Sequence, residues 1–281
     1  MLSEPKASVH ASQPTAARSG RPRIQVGGIW LDALTEHEVI DVVREGWEAG
    51  HGGSIFTINT DIAHAASRNP ALAELVAAGS LVVADGMPLL WAARLAGDAL
   101  PQRVTGSSLV FSLSEAAAAD GQSVFLLGGA DGVPAKAAEA LCSRFSTLHI
   151  AGTDSPPFGF DLTAEGIRRA ISTVTTAAPN LVYVGLGFPR QEELIQVLRK
   201  ALPHAWFLAC GGGIPMAAGV FSRASPTMQR LGLEWVHRMR LEPRRLTGRY
   251  LRDDLPFAIH LLARSALRRL THRGLGIGAK S

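Results

Sequence analysis

Asp85 follows the apolar run Leu81-Val82-Val83-Ala84 and precedes Gly86, so a residue without a side chain leaves one face of its carboxylate open. A carboxylate in that position can take a proton from a hydroxyl as a general base. It can equally cap a helix beginning at Gly86-Met87-Pro88, where proline suits the first turn. Gly128 and Gly129 follow another apolar run, Ser123-Val124-Phe125-Leu126-Leu127, and precede an Ala-rich helix. Backbone N–H groups there can approach a diphosphate at the positive end of a helix, although a strand-to-helix turn needs glycine for its geometry alone. The same two readings apply to Gly211-Gly212-Gly213. Pro189-Arg190-Gln191-Glu192 opens a further helix, where Arg190 can neutralise a phosphate and Gln191 and Glu192 can hydrogen-bond sugar or base hydroxyls. A first-turn Glu also complements the helix dipole, the commoner reason for such a residue. Arg103, close to the turn at Gly106, is most simply read as a surface charge.

Several chemistries are absent. His64, His149 and His204 have no metal-ligand spacing, and there is no Gly-x-Ser-x-Gly elbow, Walker loop, zinc motif or Asp-x-Asp. Any nucleotide-sugar chemistry must then stabilise its diphosphate leaving group with arginines and backbone donors. No metal and no cofactor are expected.

The elements that position these residues follow from hydrophobic patterning. Ile24 to Trp30 reads as a strand or hairpin arm, and Thr35 with Glu38 forms a capping box at the start of a helix. Ser54 to Asn59 is a strand, a helix runs through Ala71–Ala77, and Leu81 to Ala84 is the next strand. Strands at Ser123–Leu127, Thr147–Ala151, Asn180–Gly185 and Ala205–Cys210 are separated by helices at Pro134–Phe145, Thr163–Ala178 and Gln191–Leu202. Strands spaced by helices predict a Rossmann-like parallel α/β sheet flanked by helices. In such sheets ligands bind beyond the carboxyl ends of the strands, which is where the polar and glycine punctuation falls.

Charge is distributed unevenly. From Val236 onward the chain carries ten Arg and one Lys against Glu242, Asp253 and Asp254, a balance of +8 within a whole-chain charge of +4. An acidic body therefore bears a basic end. These arginines surround the apolar stretch Leu255-Pro256-Phe257-Ala258-Ile259-His260-Leu261-Leu262-Ala263, too short to cross a bilayer, and the combination suits an anionic surface. A solvated Arg-rich helix or a nucleic-acid tail has the same charge. The aromatic interleaving of a single-strand platform is lacking, with only Tyr250 and Phe257 after Trp235, and no nucleic-acid partner is expected. Cys142 and Cys210 read as small core residues of a reducing compartment. Residues 1–23 read as a disordered leader, 24–233 as the α/β domain, 234–273 as a basic amphipathic appendage and 274–281 as a flexible tail.

Taken in order and spacing, Thr57-Ile58-Asn59, Ala84-Asp85-Gly86, Arg103-Val104-Thr105-Gly106, Phe125 to Gly129, Gly187-Phe188-Pro189-Arg190-Gln191-Glu192, Cys210 to Gly213, Arg223-Ala224, and Gly232-Leu233-Glu234-Trp235 through Glu242-Pro243-Arg244-Arg245 resemble the WecG/TagA/CpsF family of glycosyltransferases. The resemblance spans about residues 24–251. It implies a metal-independent, inverting transferase that moves a hexose-type sugar (glucose, N-acetylmannosamine or its uronic acid) from a UDP-sugar donor to a polyprenyl-diphosphate-linked saccharide acceptor. It also implies a cytoplasmic enzyme, peripheral on the inner face of the plasma membrane, in cell-surface or exopolysaccharide synthesis. By the same resemblance Asp85 is the general base and Thr57 and Asn59 line the donor and acceptor pocket. Arg103, Gly128, Gly129, Gly187, Arg190, Gln191, Glu192, Gly212 and Gly213 complete the binding residues. An Arg-rich appendage supplies charge to the leaving diphosphate, with Arg238, Arg244, Arg245 and Arg249 as its candidates.

The chain departs from the family pattern where Gly212-Gly213-Ile214-Pro215-Met216 stands in place of Gly-Gly-x-Phe-Asp, which removes a carboxylate. A rival reading is thus a catalytically altered UDP-sugar-binding or scaffold protein of a polysaccharide assembly complex. Self-association through the face that receives the appendage is a further expectation.

Overall fold

The computed structural model describes residues 20–221, 225, 228, 234–241 and 243–275. Most of the leader, the segment carrying Arg223-Ala224 and the last residues of the tail lie outside the described residues.

The body is built on six parallel strands: β3 (Gly53–Ile58), β4 (Leu81–Ala84), β5 (Ser123–Gly128), β6 (His149–Asp154), β7 (Leu181–Gly185) and β8 (Trp206–Ala209). Their order is β4-β3-β8-β7-β5-β6, with every neighbouring pair parallel. Strands β3, β4, β5 and β8 are buried along their whole length, which is why they read as continuous apolar runs without alternation. β6 is the exposed edge, and its register slips between Val124 and Phe125 of its neighbour. It begins at His149, two residues later than the sequence pattern predicts.

Ahead of the sheet, β1 (Arg23–Val26) and β2 (Ile29–Asp32) pair as an antiparallel hairpin. Gly27 and Gly28 both hold positive φ, the requirement of a two-residue turn that matches strand twist. α1 (Glu36–Glu48) starts at the reciprocal Thr35 and Glu38 cap expected from sequence. Between β3 and β4 lie two helices, α2 (Thr60–Arg68) and α3 (Pro70–Ala77), where one was expected. The break is at Asn69-Pro70: Pro70 occupies the first turn of α3, while Asn69 caps it through Oδ1.

The other helices are α4 (Met87–Ala96), α5 (Gly106–Ala119), α6 (Val133–Arg144), α7 (Ala164–Ala177), α8 (Arg190–Ala201) and α9 (Gly213–Ala217). Alternation along β8 splits the core in two. Phe207 points to one face, with α2, α4, α7, α8 and the hairpin; Trp206 points to the other, with α1, α5, α6 and α9. On the second face the buried Tyr183 hydroxyl donates to the Val110 carbonyl at 3.0 Å, and burial holds its proton on well above the usual phenol range.

The basic end is helical: α10 (Glu234–Leu241), α11 (Pro243–Gly248), a π-helical stretch Arg249–Asp254, and α12 (Leu255–Leu275). α12 packs along α4 and reaches the hairpin. Leu261 is buried in the first core, and the Phe257 ring stacks on His64 with centroids 4.9 Å apart. The appendage thus contributes side chains to the core of the body.

Candidate functional site

β3 and β8 lie side by side, yet α2 leaves β3 toward one face and α9 leaves β8 toward the other. A crevice must open between them beyond the strand ends. A cavity of about 370 Å³ occupies that place, bounded by the turns after β3, β4 and β8, by the start of α5, and by α12.

Asp85 enters this cavity from the end of β4. Its N–H donates to the Ile58 carbonyl at 2.8 Å, extending the β3–β4 ladder by one residue and fixing the backbone beneath the carboxylate. The cap position of α4 is Gly86, so Asp85 stands one residue outside the helix. A Cβ on Gly86 would lie 3.3 Å from Thr60 Oγ1, so the absent side chain lets this turn press against the start of α2. Asn59 also borders the cavity; its Oδ1 accepts the Ile62 N–H at 2.9 Å, leaving its amide nitrogen as the donor to offer a ligand. Thr57 is not brought to the cavity: its buried hydroxyl donates to the Ala209 carbonyl at 3.3 Å and stitches β3 to β8.

Arg103 is no surface charge. Its side chain is 16% exposed, and Nη1 lies 2.9 Å from Oε2 of Glu234, itself 14% exposed, so the pair ties α10 to the body at the cavity wall. Gly212 and Gly213 border the cavity, where a Cβ on Gly213 would meet Val110 Cγ2 at 3.0 Å. Cys210 is a packing residue of the wall. Burial pushes its thiol up to about 12, and Sγ donates to the Val184 carbonyl.

Three helices of substantial length, α2, α4 and α5, begin at the cavity edge with Thr60, Met87 and Ser107 among its lining. Part of each first turn is capped, by Asn59 on Ile62 N–H, Gly86 carbonyl on Leu89 N–H and Thr105 Oγ1 on Ser108 N–H, and the three helix dipoles together favour a negatively charged ligand group. Among the described side chains the lining also carries Asp61, Asp85, Glu234 and Asp254, with Arg103 as its guanidinium. Arg238, Arg244, Arg245 and Arg249 fall on helical backbone, but their side chains lie outside the described part of the structure. The opposite wall is apolar: Trp91 from α4, Met216 from α9, and Leu255, Ile259 and Leu262 from α12. Sequence reading missed this wall, although the spacing of Leu255, Ile259 and Leu262 was a helical-face signal.

The remaining predicted residues form a separate cluster at the ends of β5 and β7, outside this cavity. Gly128 holds φ 106°, and a Cβ there would fall 2.7 Å from the Gly185 carbonyl oxygen, so close approach of the two strand ends demands glycine. Gly129 follows, also with positive φ. Gln191 Oε1 accepts the N–H of Gly187 at 3.2 Å and of Gly211 at 3.1 Å, bracing the loop after β7 to the loop after β8. Its Nε2 donates to Glu192 Oε1 at 2.9 Å. Glu192 is 1% exposed, and burial pushes its carboxyl up to about 7, while Oε2 has no partner among the described residues. Arg190 donates to the Leu186 carbonyl at 3.1 Å and faces Asp161 at 3.8 Å.

Among the described residues no group of three or more His, Cys, Asp and Glu side chains is placed to hold a metal ion, and no helix is long and apolar enough to cross a membrane. The sequence model of the Glycosyl transferase WecG/TagA/CpsF family matches residues 24–271, a span that takes in the hairpin, the sheet, the cavity and most of α12.

Proposed function

The chain belongs to the WecG/TagA/CpsF family of glycosyltransferases, and from that premise we propose an inverting hexosyltransferase that uses a UDP-sugar donor and a polyprenyl-diphosphate-linked saccharide acceptor. The observation that carries the reading is the position of Asp85, held by the β3–β4 ladder at the edge of a cavity ringed by three helix N-termini.

In this mechanism Asp85 takes the proton of the acceptor hydroxyl as the oxygen attacks the anomeric carbon. The bond from that carbon to the UDP oxygen breaks on the opposite side, and UDP leaves as the anion. One displacement inverts the anomeric centre. The starts of α2, α4 and α5 stabilise negative charge that grows on the diphosphate, a role suited to fixed dipoles in a sheltered site. The appendage arginines Arg238, Arg244, Arg245 and Arg249 add charge-assisted hydrogen bonds to it. Trp91, Leu255, Ile259 and Leu262 give the lipid-linked acceptor an apolar approach.

The enzyme works in this reading at the inner face of the plasma membrane as a peripheral protein. What supports this is the outer part of α12, which exposes Leu267 and Leu270 beside Arg264, Arg268 and Arg269, the composition of an interfacial helix. The test is transfer of labelled sugar from a panel of UDP-sugars to lipid-diphosphate-linked mono- and disaccharides. Asp85→Asn should lower turnover by about 10²-fold or more while UDP-sugar binding persists.

A second reading, a binding or scaffold protein, rests on Gly212-Gly213-Ile214-Pro215-Met216 standing where the family pattern has Gly-Gly-x-Phe-Asp, which removes a carboxylate from the segment after β8. It predicts UDP-sugar binding without transfer to any acceptor.

A further inference from the structure

A second, larger groove of about 1120 Å³ lies on the flank of the body, between the hairpin, α2, α3 and α12. It belongs to neither the transferase cavity nor the glycine cluster. Its basic lining residues are Arg68 and His64 from α2 and His260, Arg264 and Arg268 from α12. Among the described residues no Asp or Glu lines it. Among the described residues none of the three arginines is paired with a carboxylate.

The arrangement is unusual because the cations come from two elements packed against each other. Arg68 ends α2, where a cation suits the helix C-terminus, and it lines the same groove as Arg264 and Arg268 of α12. The Phe257 stack on His64 and the buried Leu261 hold α12 against α2, so the two helices keep their cations on one groove. A phosphate in the groove would meet cations from both helices. Leu267 lines the same groove and is 61% exposed, so the polar pocket has an apolar edge open to the outside.

We infer that this groove is a phosphate-binding site that takes the headgroup of an anionic phospholipid, with Arg68 on the body and Arg264 and Arg268 on α12 closing on the phosphate from either side. Arginines suit that ligand because their planar forks donate paired hydrogen bonds to phosphate oxygens. Leu267 would lie along the first part of the acyl chains. The site makes the body, and not only the basic appendage, a determinant of membrane binding. The inference rests on the peripheral-membrane part of the proposed function and is independent of the transfer step.

The test compares full-length wild type, Arg68→Gln and Arg144→Gln, the last a control on α6, for binding to vesicles of pure phosphatidylcholine and of phosphatidylcholine with phosphatidylglycerol. Soluble glycerol phosphate is titrated separately. Arg68→Gln should weaken binding to the anionic vesicles about fivefold, the effect of one basic residue at such a surface, with Arg144→Gln within twofold of wild type. Weak binding of glycerol phosphate beside Arg68-dependent vesicle binding supports the headgroup assignment. Arg68-dependent binding of glycerol phosphate alone would replace the lipid with a soluble ligand. Vesicle binding insensitive to Arg68, or equally sensitive to Arg144, overturns the site. Arg68 is exposed at a helix end, so thermal melts should show all three proteins folded.

Discussion

Asp85 and Glu192 show how position sorts two carboxylates at one edge of a sheet. Asp85 borders a cavity, while Glu192 is buried in the first turn of α8 with one oxygen unpartnered among the described residues. Burial raises the Glu192 carboxyl from its ordinary value to about 7, so the folded protein binds a proton that the unfolded chain releases near 4.5. Stability from this group is present below pH 4.5 and is lost as pH rises toward 7, with a slope of up to about 1.4 kcal/mol per pH unit. Glu192→Gln should flatten that part of the profile. Melting temperatures of the two proteins from pH 4.5 to 7.5 check this, and parallel profiles would count against a protonated Glu192. Of these two residues, Asp85 was legible in the sequence because a lone carboxylate after an apolar run is visible locally. The internal use of Glu192 was not, since a first-turn Glu looks alike whether solvated or buried. Arg103 was misread for a related reason: its partner Glu234 lies 131 residues away.

At the scale of elements, the site depends on loops held in register. Gln191 joins the turns after β7 and β8 by accepting two backbone N–H groups. Gln191→Leu leaves both donors without their acceptor and should destabilise the fold by about 2 kcal/mol or more. Denaturant titration measures this, and a change within about 0.5 kcal/mol would show that the loops need no such brace. The strands were legible because parallel strands buried on both faces are unbroken apolar runs. β6 was placed early because its partly exposed edge position blurs that signal, and α2 went unread while its successor was read at Ala71–Ala77. α4 was offered only as the helix that Asp85 could cap, and α5 went unread because it mixes apolar and small residues without a charged face to give a clear period.

For the molecule as a whole, the cavity is complete only when α10 and α12 lie on the body. They supply Glu234, the partner of Arg103, and the wall made by Leu255, Ala258, Ile259 and Leu262. A chain ending at Leu233 should keep its parallel sheet, seen as an α/β circular dichroism spectrum, and lose transfer. Retained transfer would mean that the body alone forms the site. The basic end was evident from charge counting, but its second role as a structural wall required the fold. Charge says where a segment can bind, while packing says what it completes.

The most direct test of the account is the turnover of Asp85→Asn relative to wild type, with UDP-sugar affinity and melting temperature measured on the same preparations. A loss of about 10²-fold or more in rate is expected, with binding and folding little changed. Retention of more than about a tenth of the wild-type rate would remove Asp85 from the role of general base.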